Sequence, residues 1–453
     1  MIPETRYAKA PDGVHIAYQV VGDGPVDLIW MDGARGNLEV MWEQPLVSSF
    51  FTKLASAFRV IRLDLRGTGL SDRGERPPNL ETQMDDARAV LDAVGSYRTA
   101  VVGHGWGAAA ASMFAGTNPS RTIALVLAAA QARNAWAPHY PWGFRQETFD
   151  RSLQILESGW GTEAFAAMVV SYAAPSLVGD REYLRWEAKM ERHWVGPIAA
   201  AHLEKQFNES DVHEVLRTLQ VPTLVVAREW DNPEEDGYVA GLIPDSRVVR
   251  LPGRDWLMWV GDQDSVVDAI RDFLEVAPTP HVTDRVLATV LFTDIIGSTQ
   301  KAAELGDRPW AELLERHHAA VRMVLQRHRG VEVDTAGDGF FATFDGPARA
   351  IRCAREIVEA LHPLGLSVRT GLHTGEVEQV DGKVAGIAVN IGSRISALAG
   401  PSEVLVSQTA KDLVAGSDLV FEDAGEHELK GIPGAWRVYR LLSVGNSGLG
   451  SIE

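Results

Sequence analysis

The feature that most constrains this chain is a repeated exchange of short apolar runs for helical segments. Six runs read as strands: "VDLIWMDG", "FRVIRLDLRG", "TAVVGHG", "IALVLAAA", "PTLVVARE" and "SRVVRLPG". Strand-length runs rich in Val, Ile and Leu, separated by helices, imply a largely parallel sheet covered by helices. One junction is sharper than the rest. "TAVVGHGWGAAAASMFAG", residues 99–116, passes from strand to helix through Gly105 and Gly107. The Ala-rich helix that follows can lie close against a sheet. Between about residues 133 and 219 the pattern becomes helical and rich in Trp, Tyr and Phe. An inserted helical cap with an apolar lining fits that composition.

Residues 1–277 resemble the α/β-hydrolase family. The resemblance rests on "LDLRGTGLSDR", on "GHGWG" at the turn where that family places its nucleophile, and on "LPGRDWLMWVGD" where it places its catalytic His. The family's chemistry needs a nucleophile, a His base and an acid that orients the base. Gly105 occupies the nucleophile position and supplies no reacting atom. Trp256 occupies the His position, and its indole nitrogen can only donate. Asp231 could stand where the acid stands, with no His to orient. His104 and Asp255 are conceivable substitutes, but a side chain beside the nucleophile position points away from the reacting centre. The resemblance therefore implies the fold without the hydrolase activity. A cavity lined by the aromatic cap could instead hold an apolar small molecule.

The second half carries a different pattern. "ATVLFTDIIGST" reads as a buried strand ending at Asp294, followed by a tight turn at Gly297. "WAELLERHHAAVRMVLQRHRG" is a helix that stops at Gly330; its adjacent His317 and His318 read as surface or dimer-contact residues. "VEVDTAGDGFFATF" reads as a hairpin around Gly337–Gly339. Asp294 and Asp338 would then stand at the ends of neighbouring strands. Two carboxylates beside a glycine turn suit hard divalent cations that also bind phosphates, although Asp-Gly alone is commonly only a turn. In "VAGIAVNIGSRISALAG", Asn390 and Arg394 are four apart and share a helix face. In "HELKGIPGAWRVYRL", Lys430 precedes a glycine turn between strands.

In this order, "FTDIIGST", "TAGDGFFATF", "GLHTGEV", "VNIGSRI" and "ELKGIPG" resemble the catalytic domain of class III nucleotidyl cyclases over residues 286–442. The resemblance implies an α+β domain with a ferredoxin-like core. It implies that Asp294, Asp338 and the Ile295 carbonyl hold two Mg²⁺ or Mn²⁺ ions. Backbone amides from Ile296, Gly297, Ser298 and Thr299 would cradle phosphates, with Lys430 on the terminal ones. Asn390 would orient the ribose and Arg394 would stabilise charge on the α-phosphate. In this family the carboxylates and the Asn/Arg pair come from opposite protomers, so a head-to-tail homodimer is implied. Asp334 and Ile387 occupy the base-reading positions. Adenylyl cyclases usually have Lys at the first and Asp or Thr at the second. A carboxylate at 334 can accept from guanine, whereas the surrounding segments look like bacterial adenylyl cyclases. ATP is the expected substrate, with GTP as a side substrate.

The expected function is thus an adenylate cyclase fused to a pseudo-hydrolase domain that regulates or scaffolds it. The alternatives are a guanylate cyclase, a bifunctional chain with residual esterase or epoxide hydrolase activity, and a binding protein inactive in both halves. A net charge of −18 argues against a general nucleic-acid binder. No run approaches the apolar length of a membrane span. Cys353 is the single cysteine, and "MIPETRYAKAPDG" lacks a signal-peptide core, which together favour the cytoplasm. The proline-bearing stretch 278–285 reads as a linker, and residues 443–453 as a frayed tail.

Overall fold

Two sheets organise the chain, one in each of two units, Met1–Thr283 and Asp284–Glu453. The computed structural model describes residues 2–33, 36–73, 78–229, 232–276, 284–380 and 383–445.

The first unit contains β1 (Arg6–Lys9), β2 (His15–Val21), β3 (Asp27–Asp32), β4 (Arg59–Leu63), β5 (Thr99–His104), β6 (Thr122–Ala128), β7 (Thr223–Arg228) and β8 (Ser246–Leu251). Their order across the sheet is β1-β2-β4-β3-β5-β6-β7-β8. From β4 to β8 every pairing is parallel; β1 and β2 join antiparallel at one edge. The six apolar runs are the six parallel strands. β1 carries no such signal because it is mostly exposed and its one buried residue is an alanine, whereas β2 is buried from Ile16 to Gln19. β5 is buried at every position and ends at the turn through Gly105. The helix Gly107–Thr117 follows at once. A side chain at Gly107 would put its Cβ 2.0 Å from the Met31 carbonyl, so only glycine lets this helix sit so close to β3.

Between β6 and β7 the chain leaves the sheet and forms the cap: helices Gln146–Gly159, Glu163–Ala173, Arg181–Trp194, Pro197–Glu209 and His213–Arg217. The Arg181–Trp194 helix starts on Asp180, whose carboxylate accepts from the amides of Glu182 and Tyr183. It buries Tyr183, Trp186, Met190 and Trp194, a stripe at helical spacing.

The second unit contains β9 (Arg285–Ile295), β10 (Val331–Ala336), β11 (Gly339–Phe344), β12 (Val368–Val380), β13 (Lys383–Ala385), β14 (Val404–Ser407), β15 (Leu419–Glu428) and β16 (Ala435–Val444). The order is β10-β11-β9-β12-β14-β16-β15, with β13 paired to β12. Helices Asp307–Arg327 and Pro347–Leu361 cover the face bearing Leu291 and Ile295. Cys353 lies in that core, and burial pushes its thiol up to about 12. Helix Ile387–Leu398 packs on the opposite face, where Val290 and Phe292 lie close to Gly392. Gly371 on β12 permits this approach, since a Cβ there would fall 2.1 Å from the Ser396 amide.

Three boundary or burial expectations change. Of the expected linker 278–285, residues 278–283 lie outside the described residues, and Arg285 already opens β9, paired with Glu378. Of the expected tail 443–453, Ser443 and Val444 close β16, held by pairing with Val420 and Leu419. Residues 446–453 lie outside the described residues. His317 is fully buried rather than a surface residue, packed against Phe340, and burial pushes its pKa down to about 4.

Candidate functional site

In the second unit, Asp294 and Asp338 meet at one end of the β11–β9–β12 strands. Asp294 is the penultimate residue of β9. Asp338 sits in the β10–β11 turn, where Gly337 has φ +62°. The Ile295 amide donates to Asp338 Oδ2 at 3.2 Å, which ties the turn to the strand. His318 Nε2 donates to the Gly337 carbonyl at 3.0 Å and braces the same turn. Beyond Ile295, Gly297 turns at φ +69° and helix Ser298–Leu305 begins without a side-chain cap. Its first-turn amides therefore stay available to an anion. The Ile296 amide is not among them: it donates to the Ser367 carbonyl at 2.9 Å, which narrows the expected cradle to Gly297, Ser298 and Thr299. Half-buried carboxylates next to a backbone carbonyl form an all-oxygen donor set of the kind hard divalent cations prefer.

One residue of this site had no sequence signal. Arg369 stands opposite Asp294 in the β12–β9 register. Its Nη2 and Nε donate to Asp294 Oδ2 at 2.5 and 3.0 Å. The strand segment before "TGLHTG" reads as an ordinary strand start, and only the register reveals the pairing.

Ile387, Asn390 and Arg394 lie on one exposed face of helix Ile387–Leu398. Arg394 Nε donates to the Lys430 carbonyl at 3.2 Å, so these two predicted residues are neighbours. Among the described residues, no hydrogen bond or ion pair joins this group to Asp294 or Asp338. Asp334 is exposed on β10 opposite Phe341, which stacks on Phe292 at 4.6 Å and 4°. Paired residues share a sheet face, so Asp334, Phe341 and Phe292 form one row on the side away from the two long helices.

In the first unit the turn after β5 is a closed site. Gly105 has φ +54°, and a Cβ there would lie 2.6 Å from the Trp256 ring. The indole thus occupies the space a nucleophile would need. His104 is buried, with Nδ1 3.1 Å from Asp32 Oδ1 and Nε2 3.4 Å from the Trp256 carbonyl. Trp30, Trp256 and Trp259 surround it, with ring centroids 5.4–5.9 Å away. Asp255 accepts from the Ser176 amide at 3.0 Å and its hydroxyl at 2.9 Å, a contact that anchors the cap. Asp255 is thus committed to the cap, whereas His104, paired with Asp32, faces the cavity lining. Asp231 lies outside the described residues.

Above this turn is a cavity of about 320 Å³. Its walls are mostly apolar cap residues, including Phe149, Phe165 and Met168, with His104, Gly105 and Trp256 among its lining. Among the other aromatic residues between 133 and 219, Phe144, Tyr172 and Trp186 line it too. Trp160 and Trp194 pack instead inside the cap, against Phe149 and Phe165.

The description "Alpha/beta hydrolase family" matches residues 33–270, more than half of the chain. The chain belongs to the α/β-hydrolase family. Its second part, residues 282–443, matches "Adenylate and Guanylate cyclase catalytic domain", and is a class III cyclase domain. A Rhizobium meliloti (strain 1021) protein provisionally named adenylate cyclase 3 is 27% identical over 157 residues, covering 33% of this chain and 27% of its own length. An uncharacterized protein of the same strain is 31% identical over 181 residues, 35% of this chain and 18% of its own length. The chain therefore spans less than a third of either relative. An esterase from Exiguobacterium antarcticum shares the fold, with TM-score 0.53 and 16% identity over 60% of this chain and 100% of that one. No helix among the described residues is long and apolar enough to cross a membrane.

Proposed function

We propose that the cyclase domain converts ATP to 3′,5′-cyclic AMP and pyrophosphate, with GTP as a side substrate. The observation that carries this reading is the convergence of Asp294 and Asp338 beside an uncapped helix start. Divalent cations held by Asp294, Asp338 and the Ile295 carbonyl would supply acidification of the ribose 3′-hydroxyl and neutralisation of the triphosphate. Amides of Gly297, Ser298 and Thr299 would receive phosphate oxygens at the positive end of the helix. Asn390 orients the ribose. Arg394 stabilises charge on the α-phosphate, and Lys430 binds the terminal phosphates. Among the described residues no hydrogen bond or ion pair joins the Asp pair to the Arg394–Lys430 group, which accords with a site completed by a second protomer. The single cysteine and the nucleotide substrate accord with a cytoplasmic reaction.

The hydrolase-like domain acts in this reading as a binding module. The Trp256 ring against Gly105 leaves no nucleophile, whereas the cavity remains and is apolar. A ligand there would regulate the cyclase only through different affinities for its states. The deciding experiment incubates the full chain with ATP or GTP and Mn²⁺ and identifies products chromatographically. Cyclic nucleotide from neither would sink the proposal; cyclic GMP as the main product would favour the guanylate cyclase reading.

Base selection gives a separate expectation. Asp334→Lys with Ile387→Asp restores one donor and one acceptor for adenine. Matching hydrogen bonds at buried groups is worth about 1–3 kcal/mol, so the ATP/GTP ratio of kcat/KM should rise about tenfold or more. An unchanged ratio would mean that these side chains do not read the base.

Arg369 supplies another. Its guanidinium occupies Asp294 Oδ2, so a cation must compete with it. The pair is about one-third exposed on both sides, which limits it to at most about 1 kcal/mol. Arg369→Gln should therefore tighten Mn²⁺ binding about two- to fivefold, measured calorimetrically without nucleotide. Weaker binding in the variant would show that Arg369 instead supports the carboxylate.

A further inference from the structure

The two ends of the cap insertion converge on a group unrelated to the cavity floor. His139 follows β6, and Asp211 and His213 precede β7, more than seventy residues later in the chain. One ligand-type atom from each of the three lies within 4.8 Å of the other two. The His213 and His139 rings are 5.5 Å apart at 70°.

The bonding within this group is asymmetric. His213 Nδ1 lies 2.6 Å from Asp211 Oδ1, and Asp211 Oδ2 accepts from Arg133 at 3.0 Å. Donation from Nδ1 to the carboxylate leaves Nε2 as a bare acceptor. His213 is only 6% exposed, and its Nε2 is buried without a hydrogen-bond partner. Buried ring nitrogens are ordinarily paired, and this one has the environment of a ligand nitrogen waiting for a cation. A carboxylate on Nδ1 fixes the tautomer and orientation of such an imidazole. His139 is exposed and can turn without disturbing the core.

We infer that His139 and His213 Nε2 hold a borderline transition-metal ion, represented by Zn²⁺, with Asp211 orienting His213 from Nδ1, and that the ion staples the entry of the cap to its exit. Imidazole nitrogens select such ions over Mg²⁺ or Ca²⁺, which take oxygen ligands. The site is separate from the cyclase carboxylates, which lie in the other unit. Because the ion bridges segments far apart in sequence, it binds the folded cap and not the unfolded chain, and so raises the unfolding temperature.

The test uses the full untagged chain carrying Asp294→Asn and Asp338→Asn, so that the cyclase carboxylates do not contribute. Equilibrium dialysis with Zn²⁺ should leave one zinc per chain, undisturbed by millimolar Mg²⁺. His139→Ala in that background should weaken zinc binding at least tenfold and abolish the zinc-dependent rise in Tm; Asp211→Asn should weaken it about tenfold. His139 is exposed, so its loss tests the site without threatening the fold. Absence of bound zinc, or zinc retained equally by His139→Ala, would overturn the inference.

Discussion

Asp294→Ala should lower cyclic nucleotide production by about a thousandfold, and Asp338→Ala by a similar factor, because removing one group that stabilises developing charge costs on the order of 10²–10³ in rate. Each substitution deletes a carboxylate from the same strand-end cluster. They differ in what else they disturb. Asp294→Ala frees Arg369 and leaves its positive charge where a cation would sit. Asp338→Ala removes the acceptor of the Ile295 amide and loosens the tie between turn and strand. Unfolding curves should separate these effects from global destabilisation, since both side chains are only half-buried. Arg394→Ala should be nearly inactive too, for a different reason: it breaks the other half of the site. Equal amounts of Asp294→Ala and Arg394→Ala chains should then recover about a quarter of wild-type activity, because half of randomly mixed dimers carry one intact site out of two. No recovery after verified subunit exchange would locate each site within one protomer. Substantial cyclase activity in both Asp variants would remove the catalytic assignment itself.

Gly105→Ser should destabilise the hydrolase-like domain by about 1–3 kcal/mol, the usual cost of overpacking a filled site, and should create no esterase. The new Cβ would meet the Trp256 ring at 2.6 Å, on a backbone at φ +54° that side chains adopt only with strain. The Trp256 backbone N–H donates a hydrogen bond to the Ala173 carbonyl at 2.9 Å, so the ring cannot retreat freely. Combining Gly105→Ser with Trp256→His should recover stability, because the smaller imidazole vacates the overlap, and should restore at most traces of hydrolysis. Chemical denaturation of the full chain, followed by tryptophan fluorescence, measures the first effect; an ester, lactone and epoxide panel measures the second. Saturable turnover by the natural sequence, lost in Gly105→Val, would reverse the reading of this domain as catalytically empty.

Much of this was legible before any tertiary information. Five of the six parallel strands of the first sheet follow from short apolar runs, which a strand buried on both faces requires, whereas β8 is an edge strand with one buried residue. The turn at Gly105 follows from glycine spacing, a local backbone demand. The expectation that the nucleophile and base positions are vacant rests on residue type alone, since glycine has no side-chain atoms and indole has no basic nitrogen. Asp294 and Asp338 could be placed at adjoining strand ends because each flanks its own turn signal.

The rest depended on contacts between residues distant in the chain. That Trp256 lies over Gly105 is a contact across some 150 positions, and only the folded sheet and cap bring it about. Arg369 meets Asp294 because of a strand register, and a shift of one residue would turn it to the other face. His317 looked like a surface residue because helical spacing does not say which face a neighbouring sheet will cover. The Ile296 amide drops out of the expected phosphate cradle because the Ser367 carbonyl, seventy-one residues on, comes within 2.9 Å. His139, Asp211 and His213 carry no motif, since the cap must close before its two ends become neighbours. Local sequence determines what each backbone segment and side chain can do; which groups then face one another is decided by burial and register, which are properties of the whole sheet and its covering helices.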